Sequence, residues 1–236
     1  GQPGGCWQLL QRTHQPAAVY DSLMAYKRTL EHLRQRDAII IADIKRGDIA
    51  KTAEMYAKAH FTGDFEADFI TLNPYMGMDT LTPFLPYFKE QNKGAFVLIR
   101  TSNPGAQDIE YINTTDNRHV YNVVGEKINT LGKEFIGECG FSAIGGVMGC
   151  THADEAKEVR ESLDSTFFLI PGYGAQGGKA EDIALYLKEG NGGVVNASRS
   201  ILLAYKKVEN GEGNFDEHSR NEALKMRNDI LGAIKR

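Results

Sequence analysis

Cysteine is scarce in this sequence and long apolar runs are absent, and each shortage excludes a class of protein. Only 3 cysteines occur in 236 residues, and Cys6, Cys139 and Cys150 form neither a CxxC pair nor a Cys/His set with zinc spacing. A disulfide framework or a structural metal site is therefore not expected. No run approaches the roughly 18 consecutive apolar residues of a membrane span, and residues 1–10 lack the basic and apolar regions of a signal peptide. We therefore expect a cytoplasmic protein with reduced thiols and no membrane partner.

Positive charge does not predominate either. Lys and Arg total 27 against 31 for Asp and Glu, which gives a formal net charge of -4 at pH 7. Proteins that bind nucleic acid usually show the opposite balance, so no nucleic-acid partner is expected. Small anions remain suitable ligands, because a few local cations or helix N-termini bind a phosphate even on an acidic protein. With 42% hydrophobic and 25% charged residues, the composition is that of a globular domain.

Six short apolar runs alternate with segments of helical spacing along the chain. The runs are continuous, which is typical of parallel strands covered on both sides. They span residues 38–42, 69–72, 95–99, 143–148, 167–170 and 193–195. The predicted helices span residues 49–60, 80–90, 119–139, 154–163, 180–188 and 216–235. This order predicts an α/β fold with a parallel sheet, either open or closed as a barrel, and periodicity alone does not separate the two.

The beginning of the chain departs from this pattern. Residues 1–22 form an atypical leader, since residues 1–15 are rich in Gly and Gln and contain no apolar run that predicts a strand. The first predicted element is a helix over residues 23–34. No linker, composition shift or low-complexity tract divides the remainder, so residues 23–236 are expected to form a single domain.

The densest charge cluster, DIKRGD, follows the first apolar run. Residues two apart in a strand face the same side, so Asp43 and Lys45 are expected to point together, while Gly47 turns the chain and Asp48 begins the next helix. Active sites of α/β enzymes lie at the carboxyl ends of the strands. A lysine between carboxylates stays protonated and is a ready proton donor to a carbanion. The pattern also fits an exposed ion pair beside a helix cap, but its position after an apolar run favours the functional interpretation.

Two later clusters are suited to an anionic ligand. Residues 171–178 hold four glycines that let the backbone approach a ligand closely. Arg199, after the sixth run, has a guanidinium whose shape suits a phosphate. The loops after strands seven and eight of a (β/α)8 barrel often form a phosphate site, and these clusters fall there if two strands precede Ala38. The G-x-G-x-x-G match at residues 172–177 lacks the context of a first βα turn, so a nicotinamide cofactor is not expected.

Five segments of the chain resemble orotidine 5'-phosphate decarboxylase, in its longer bacterial form that carries KRGDI. They are IIADIKRGDIAKTAEMYA, ADFITLNPYMG, FVLIRTSNPG, FLIPGYGAQGG and VVNASRSIL, in the family's order between residues 25 and 205. The resemblance implies a (β/α)8 barrel of the TIM type that converts orotidine 5'-monophosphate to UMP and CO2 in pyrimidine biosynthesis. It also implies a homodimer with shared active sites, and a reaction that needs no metal and no organic cofactor.

The resemblance assigns roles to the charged cluster. Lys45 matches the family's proton donor to C6, and Asp43 matches the carboxylate beside the leaving CO2. Asp48 and Thr52, in the pattern DxKxxDIxxT, match residues that reach across the dimer interface into the partner's site.

Further along the chain the resemblance assigns substrate contacts. Ser102 matches a contact to the pyrimidine, while Gln176 and Arg199 match the residues that hold the phosphate. By itself the motif DxKxxD is shared with Mg-dependent sugar-phosphate decarboxylases and aldolases of the same superfamily, which are an alternative. A catalytically impaired fragment that binds a phosphate ligand is a second alternative.

The chain departs from the family at its start. The family's first strand ends in an aspartate and its second carries a lysine, and these complete an alternating Lys-Asp-Lys-Asp array. Residues 1–22 show neither motif, and Lys27 lies within a predicted helix. We therefore expect these 236 residues to have the first two strands missing or replaced, through truncation or a frame shift. Weak or absent decarboxylase activity is expected, since such a sheet lacks half of the charged array and exposes an edge.

Overall fold

The chain forms two compact units, Gly1–Val97 and Leu98–Arg236. The computed structural model describes residues 16–150, 153–174 and 177–234, so the predictions for residues 1–15 lie outside the described part. Within each unit, parallel strands alternate with helices, as the order of the apolar runs predicts. The expectation of a single domain over residues 23–236 stays a prediction.

The described residues of the first unit hold three α-helices and three strands. The helices are α1 (Pro16–Arg34), α2 (Ala50–Phe61) and α3 (Leu85–Glu90). The strands are β1 (Ile41–Arg46), β2 (Phe69–Leu72) and β3 (Gly94–Arg100), whose last three residues belong to the second unit. β1 pairs with β2 and β2 with β3, all parallel, with Ile41 opposite Phe69 and Phe69 opposite Gly94.

Small and aromatic side chains build the core of the first unit. Ala53 and Ala57 of α2 are fully buried, because an alanine face lets the helix approach its neighbours closely. At the end of α2, Phe61 meets Phe84 and Phe88 edge to face, with ring centroids 6.4 and 6.0 Å apart. Burying one large apolar side chain contributes roughly 1.5–3 kcal/mol, so this cluster is a main stabilising contact of the unit.

The second unit repeats the alternation of strand and helix. Its described strands are β4 (Ile144–Met148), β5 (Phe168–Pro171) and β6 (Gly193–Asn196). Its described α-helices are α4 (Val120–Gly132), α5 (Ala156–Ser162), α6 (Ala180–Leu185), α7 (Ser198–Leu202) and α8 (Phe215–Ile234). β4 pairs with β5 and β5 with β6, all parallel, with Gly146 opposite Phe168 and Phe168 opposite Gly193.

All six predicted strands are present, and five of them have ends within one residue of the prediction. The first strand is the exception, since it begins at Ile41 and continues through the charged cluster to Arg46. The reason lies in Asp68, whose carboxylate accepts the N–H of Ile40 at 2.8 Å and so replaces a strand partner there. The sequence DIKR, which follows the first apolar run, forms the second part of this strand.

The helices differ more from the prediction. α1 spans Pro16–Arg34 and so includes residues ahead of the predicted start at residue 23. The predicted helix over residues 80–90 is a 3₁₀ segment, Met78–Phe84, followed by α3, since Pro83 and Pro86 remove two backbone donors. The predicted helix over residues 119–139 ends at Gly132, a residue that weakens helices. Those predicted over 154–163 and 180–188 are also shorter, as α5 and α6.

Three further observations bear on the sequence predictions. No described helix combines the length and the apolar character that crossing a membrane requires. Cys139 is an exposed free thiol and Cys150 a buried one, while Cys6 lies outside the described residues. Lys27 lies on α1 as predicted. Its Nζ donates to Asp64 Oδ2 at 2.6 Å, and this contact links α1 to the segment that follows α2.

Candidate active site

The charged end of β1 carries an ion pair. Lys45 Nζ donates to Asp43 Oδ1 at 2.5 Å, and about half of each side chain is exposed. The structure thus brings the two side chains together, as strand spacing predicts. An exposed pair contributes only about 0.2–1 kcal/mol to stability. Its interest is therefore chemical, because it holds an ammonium group where a ligand can approach.

The backbone of β1 is irregular at this pair. Ala42 lies opposite Ile70 and Arg46 opposite Leu72, so three residues of β1 face a single residue of β2. Lys45, inside this bulge, has a φ of 46°, in the left-handed region that residues with side chains seldom adopt. Bulges re-aim side chains next to active sites, and a backbone of this kind persists only where its surroundings hold it.

Thr71 of β2 faces the bulge. Its side chain is fully buried, and its Oγ1 accepts the N–H of Lys45 at 2.8 Å and donates to Asp43 Oδ1 at 3.0 Å. One hydroxyl therefore joins the backbone of the lysine to the carboxylate of its partner. Sequence reasoning missed this residue, although a single polar residue inside the apolar run FITL was the available signal.

Arg46, the next residue, contacts α2 instead. Its guanidinium lies over the Tyr56 ring at 4.9 Å, and its Nε donates to His60 Nε2 at 3.5 Å. His60 is buried, and this burial, assisted by the Arg46 charge, lowers the pKa of its imidazole to about 4. A neutral ring can accept the arginine hydrogen bond. The Arg46 guanidinium therefore packs against α2, whereas the Lys45 ammonium group pairs with the Asp43 carboxylate.

Asp48 and Thr52 follow at the start of α2. Asp48 Oδ1 accepts the N–H of Ile49 at 2.9 Å, and the helix begins at Ala50. The prediction that Asp48 begins the helix is therefore wrong, because Ile49 occupies the cap position. Thr52 is exposed in the first turn. In the described part of the chain, neither side chain forms a hydrogen bond with Lys45.

Gly47 provides a close approach between two turns. Asn73 N donates to Arg46 O at 2.7 Å, and a Cβ on residue 47 would lie 3.0 Å from Asn73 O. Asn73 Oδ1 accepts the N–H of Tyr75 at 2.9 Å, which closes a turn after β2. A side chain at position 47 would therefore push the two turns apart beside the ion pair.

In the second unit, a buried arginine lies at the end of β3. The Arg100 side chain is fully buried, and its guanidinium donates to Glu155 Oε2 at 2.5 Å, to Gly149 O at 3.2 Å and to the Tyr186 hydroxyl. Tyr121 Oη donates to the same Glu155 oxygen at 2.7 Å. Sequence reasoning did not assign this network, which anchors the first residue of the RTSNPG loop.

Ser102 lies two residues further, in the same loop. Its backbone is close to Gly149, where a Cβ would come within 3.1 Å of Ser102 N. Thr101 beside it donates its N–H and its hydroxyl to the Glu110 carboxylate, at 2.8 and 2.7 Å. The Ser102 side chain is half-buried, and its hydroxyl has no hydrogen-bond partner in the ranges that the structure describes. The loop is thus held by its neighbours, and within the described residues this hydroxyl is available to a ligand.

The Gly-rich loop after β5 is described except at residues 175 and 176, so the predicted phosphate ligand Gln176 lies outside the described residues. A positive φ is adopted by Gly172, Gly174 and Gly177. Glycine adopts this conformation without strain. A Cβ on Gly178 would lie 2.3 Å from Cys150 Sγ, so only glycine lets the loop pack there.

Arg199 is the second residue of α7, directly after β6. Its side chain is exposed, and among the residues described no hydrogen bond or ion pair engages its guanidinium. Pro171 lies opposite Asn196 in the pairing of β5 with β6, so the Gly-rich loop and Arg199 leave the sheet at the same edge. This edge presents an exposed guanidinium, a group whose shape suits a phosphate.

The predicted site residues thus fall into two groups, each at the carboxyl ends of parallel strands. The first unit holds Asp43, Lys45, Asp48 and Thr52, and the second holds Ser102 and Arg199. Over residues 16–150, 153–174 and 177–234, no group of three or more His, Cys, Asp or Glu side chains is placed to hold a metal ion. A reaction without metal or organic cofactor stays a prediction.

Known proteins match nearly the whole chain. The model of the orotidine 5'-phosphate decarboxylase / HUMPS family matches residues 13–213. Orotidine 5'-phosphate decarboxylase from Clostridium perfringens is 63% identical over 225 residues, covering 95% of this chain and 78% of that protein. The enzyme of the same name from Clostridium acetobutylicum is 64% identical over 208 residues, covering 88% and 73%. The structure of Leishmania donovani OMP decarboxylase superposes with a TM-score of 0.64 at 27% identity, covering 94% of this chain and 86% of that one.

Proposed function

This chain belongs to the orotidine 5'-phosphate decarboxylase / HUMPS family, and we propose from that premise that it converts orotidine 5'-monophosphate to UMP and CO2 in pyrimidine biosynthesis. Its α/β fold is that of the family's (β/α)8 barrels. The observation that carries the proposal is the pair of Asp43 and Lys45, an ammonium group held 2.5 Å from a carboxylate in a strand of the sheet.

Lys45 supplies the proton that the reaction needs. Loss of CO2 breaks the bond between C6 and the carboxylate carbon and leaves the electron pair on C6, an sp2 carbon with little delocalisation. A cation held where that charge develops stabilises it without reorganisation. The Lys45 ammonium then transfers a proton to C6. The neutral amine regains a proton from solvent, which reaches this half-exposed side chain.

Asp43 acts on both the lysine and the substrate. By accepting the hydrogen bond of Lys45 it orients the ammonium group. Beside the substrate carboxylate, its charge opposes the ionised reactant more than the neutral CO2 that leaves. The repulsion is therefore relieved as the reaction proceeds, which lowers the barrier from the bound state.

Ser102, Gln176 and Arg199 bind the parts of the nucleotide that do not react. We assign Ser102 to the pyrimidine edge, and Gln176 and Arg199 to the phosphate. The free hydroxyl of Ser102 and the exposed guanidinium of Arg199, as found among the described residues, support these assignments. Binding energy from the remote phosphate offsets the cost of ordering the reacting end of the substrate.

We further propose a cytoplasmic homodimer with shared active sites. Asp48 and Thr52 would reach the partner's site, and two exposed apolar side chains lie in the same segment of the chain. There Ile49 and Met55 are 57% and 55% exposed, and apolar surface of this kind is often buried against a partner. The free thiols of the described cysteines fit a reducing compartment.

The test measures CO2 release from orotidine 5'-monophosphate by the 236-residue protein and by the variants Lys45→Ala and Lys51→Ala, at high protein concentration. Lys51 is a matched control, because it is 86% exposed and pairs with Glu54 on α2. We expect Lys45→Ala to lower kcat roughly 100- to 1000-fold. Lys51→Ala should leave kcat unchanged, and calorimetry should show unchanged UMP affinity for both.

Other outcomes identify the alternatives. Equal turnover with and without Lys45 would contradict its role as the proton donor. UMP binding without any CO2 release would identify a catalytically impaired phosphate-ligand binding protein. Activity that EDTA abolishes would favour a Mg-dependent sugar-phosphate decarboxylase or aldolase.

A further inference from the structure

We propose that Thr71 is a positioning residue of this site, whose buried hydroxyl holds the Asp43 carboxylate and the Lys45 backbone in one arrangement. The expected effect of Thr71 on the reaction rate rests on the proposed function of the Asp43 and Lys45 pair. The positioning itself does not depend on that function, because it follows from two hydrogen bonds and an irregularity of the strand.

Thr71 is a polar residue in a strand, β2, whose other residues are apolar. Its neighbours Ile70 and Leu72 are buried aliphatic side chains, and Thr71 is itself fully buried. Burial of a hydroxyl is unfavourable unless its proton and a lone pair find partners. Here both find partners, and both partners belong to the ion pair. The hydroxyl therefore links Lys45 to Asp43 at this position, and a valine of the same shape would form neither hydrogen bond.

The Lys45 backbone needs such a partner. Three residues of β1 lie opposite Thr71 alone, so the bulge takes Lys45 out of the regular ladder. At a φ of 46°, the lysine holds a conformation that persists only when its surroundings impose it. The hydrogen bond of 2.8 Å from Lys45 N to Thr71 Oγ1 replaces the ladder bond and fixes the direction in which the side chain leaves the strand.

The second hydrogen bond fixes the carboxylate. Since the Lys45 N–H can only donate, the hydroxyl oxygen of Thr71 accepts it, and the hydroxyl proton is left for Asp43 Oδ1 at 3.0 Å. The same Asp43 oxygen accepts from Lys45 Nζ at 2.5 Å. Loss of the hydroxyl frees both members of the pair to move, and a displacement of about 1 Å costs on the order of 100-fold in rate.

The test uses two variants of Thr71 and one matched control. Thr71→Val keeps the shape and removes the hydroxyl, whereas Thr71→Ser keeps the hydroxyl. The control is Thr80→Val, since Thr80 is a buried threonine of the same unit whose hydroxyl donates to Gly77 O at 2.6 Å, outside the ion pair. We expect Thr71→Val to lower kcat about 10- to 100-fold with KM within about threefold. Thr71→Ser and Thr80→Val should keep kcat close to that of the unsubstituted protein.

Hydrogen exchange of the ligand-free protein separates this proposal from the proposed function. The Lys45 amide should exchange on the order of tenfold faster in Thr71→Val than in Thr71→Ser or Thr80→Val. If that holds while the protein does not decarboxylate the substrate, the proposed function fails and the positioning of Lys45 by Thr71 is supported. Unchanged exchange at Lys45 in Thr71→Val would overturn the proposal. A kcat unaffected by Thr71→Val, or equally low in Thr71→Ser, would also overturn it.

Discussion

His60 makes the stability of the first unit depend on pH. Its imidazole is buried, its Nε2 accepts from Arg46, and its Nδ1 has no hydrogen-bond partner within the described ranges. Burial, and secondly the Arg46 charge, lower its pKa from 6.5 to about 4. Between these values the unfolded chain binds a proton that the folded chain does not. The contribution of His60 to the free energy of unfolding is therefore fully present above pH 6.5 and falls by up to about 3 kcal/mol as the pH drops to 4.

Urea unfolding at several pH values checks this expectation. In His60→Gln the fall in stability between about pH 6.5 and about pH 4 should be smaller, since glutamine does not titrate and can still accept from Arg46. His32→Gln is the control, because His32 is exposed on α1. It should keep the pH dependence of the unsubstituted protein. The same pH dependence in all three proteins would show that His60 is not the titrating group.

Single residues differed in how well the sequence predicted them. Asp43 and Lys45 were predictable because opposite charges spaced two apart follow an apolar run. The polarity of Thr71 within FITL marks the position, but its contacts were not predictable, because they depend on the pairing of two strands and on a bulge. Glu155 was missed for the same reason, since its partner Arg100 lies 55 positions away in the chain.

The end of β3 depends on an ion pair that joins several elements. Arg100 is fully buried, and Glu155 lies in the 3₁₀ segment before α5 and accepts from both Arg100 and Tyr121 of α4. Removing one partner of a buried pair leaves the other charge without compensation. Glu155→Ala should therefore lower the free energy of unfolding by about 3 kcal/mol.

Chemical denaturation tests this loss, with Glu158→Ala as the matched control. Glu158 is an exposed glutamate on the neighbouring α5, and its substitution should change the free energy of unfolding by less than about 0.5 kcal/mol. Comparable small changes in both variants would mean that other acceptors, such as carbonyl oxygens and water, compensate the Arg100 charge.

At the scale of elements, apolar runs predicted every strand, whereas element ends depended on contacts across the fold. β1 starts late because the Asp68 side chain satisfies Ile40. β1 also continues through charged residues, because pairing with β2 permits a bulge there. Pro83 and Pro86, in contrast, are local signals, and the prediction of one helix over residues 80–90 gave them too little weight.

For the whole molecule, shared active sites predict that two inactive variants restore each other. In the proposed dimer, Asp43 and Lys45 would come from one chain of each site, and Asp48 from its partner. A mixed dimer of Lys45→Ala and Asp48→Ala therefore has one site that lacks both residues and one that is complete. Mixed and refolded together, the two should reach about a quarter of the unsubstituted activity, because half of the dimers are mixed and each of these has one working site.

The matched control mixes Lys45→Ala with Asp43→Ala. Lys45 Nζ and Asp43 Oδ1 lie 2.5 Å apart, and both residues would serve the same site. A mixed dimer of these two variants would therefore contain no complete site. This mixture should stay inactive, although sedimentation should show dimers in both mixtures. Recovery in neither mixture, with mixed dimers present, would mean that Asp48 acts within its own chain. Recovery in both would mean that Asp43 and Lys45 do not work as a pair, and the mechanism proposed for Lys45 would then need a different partner.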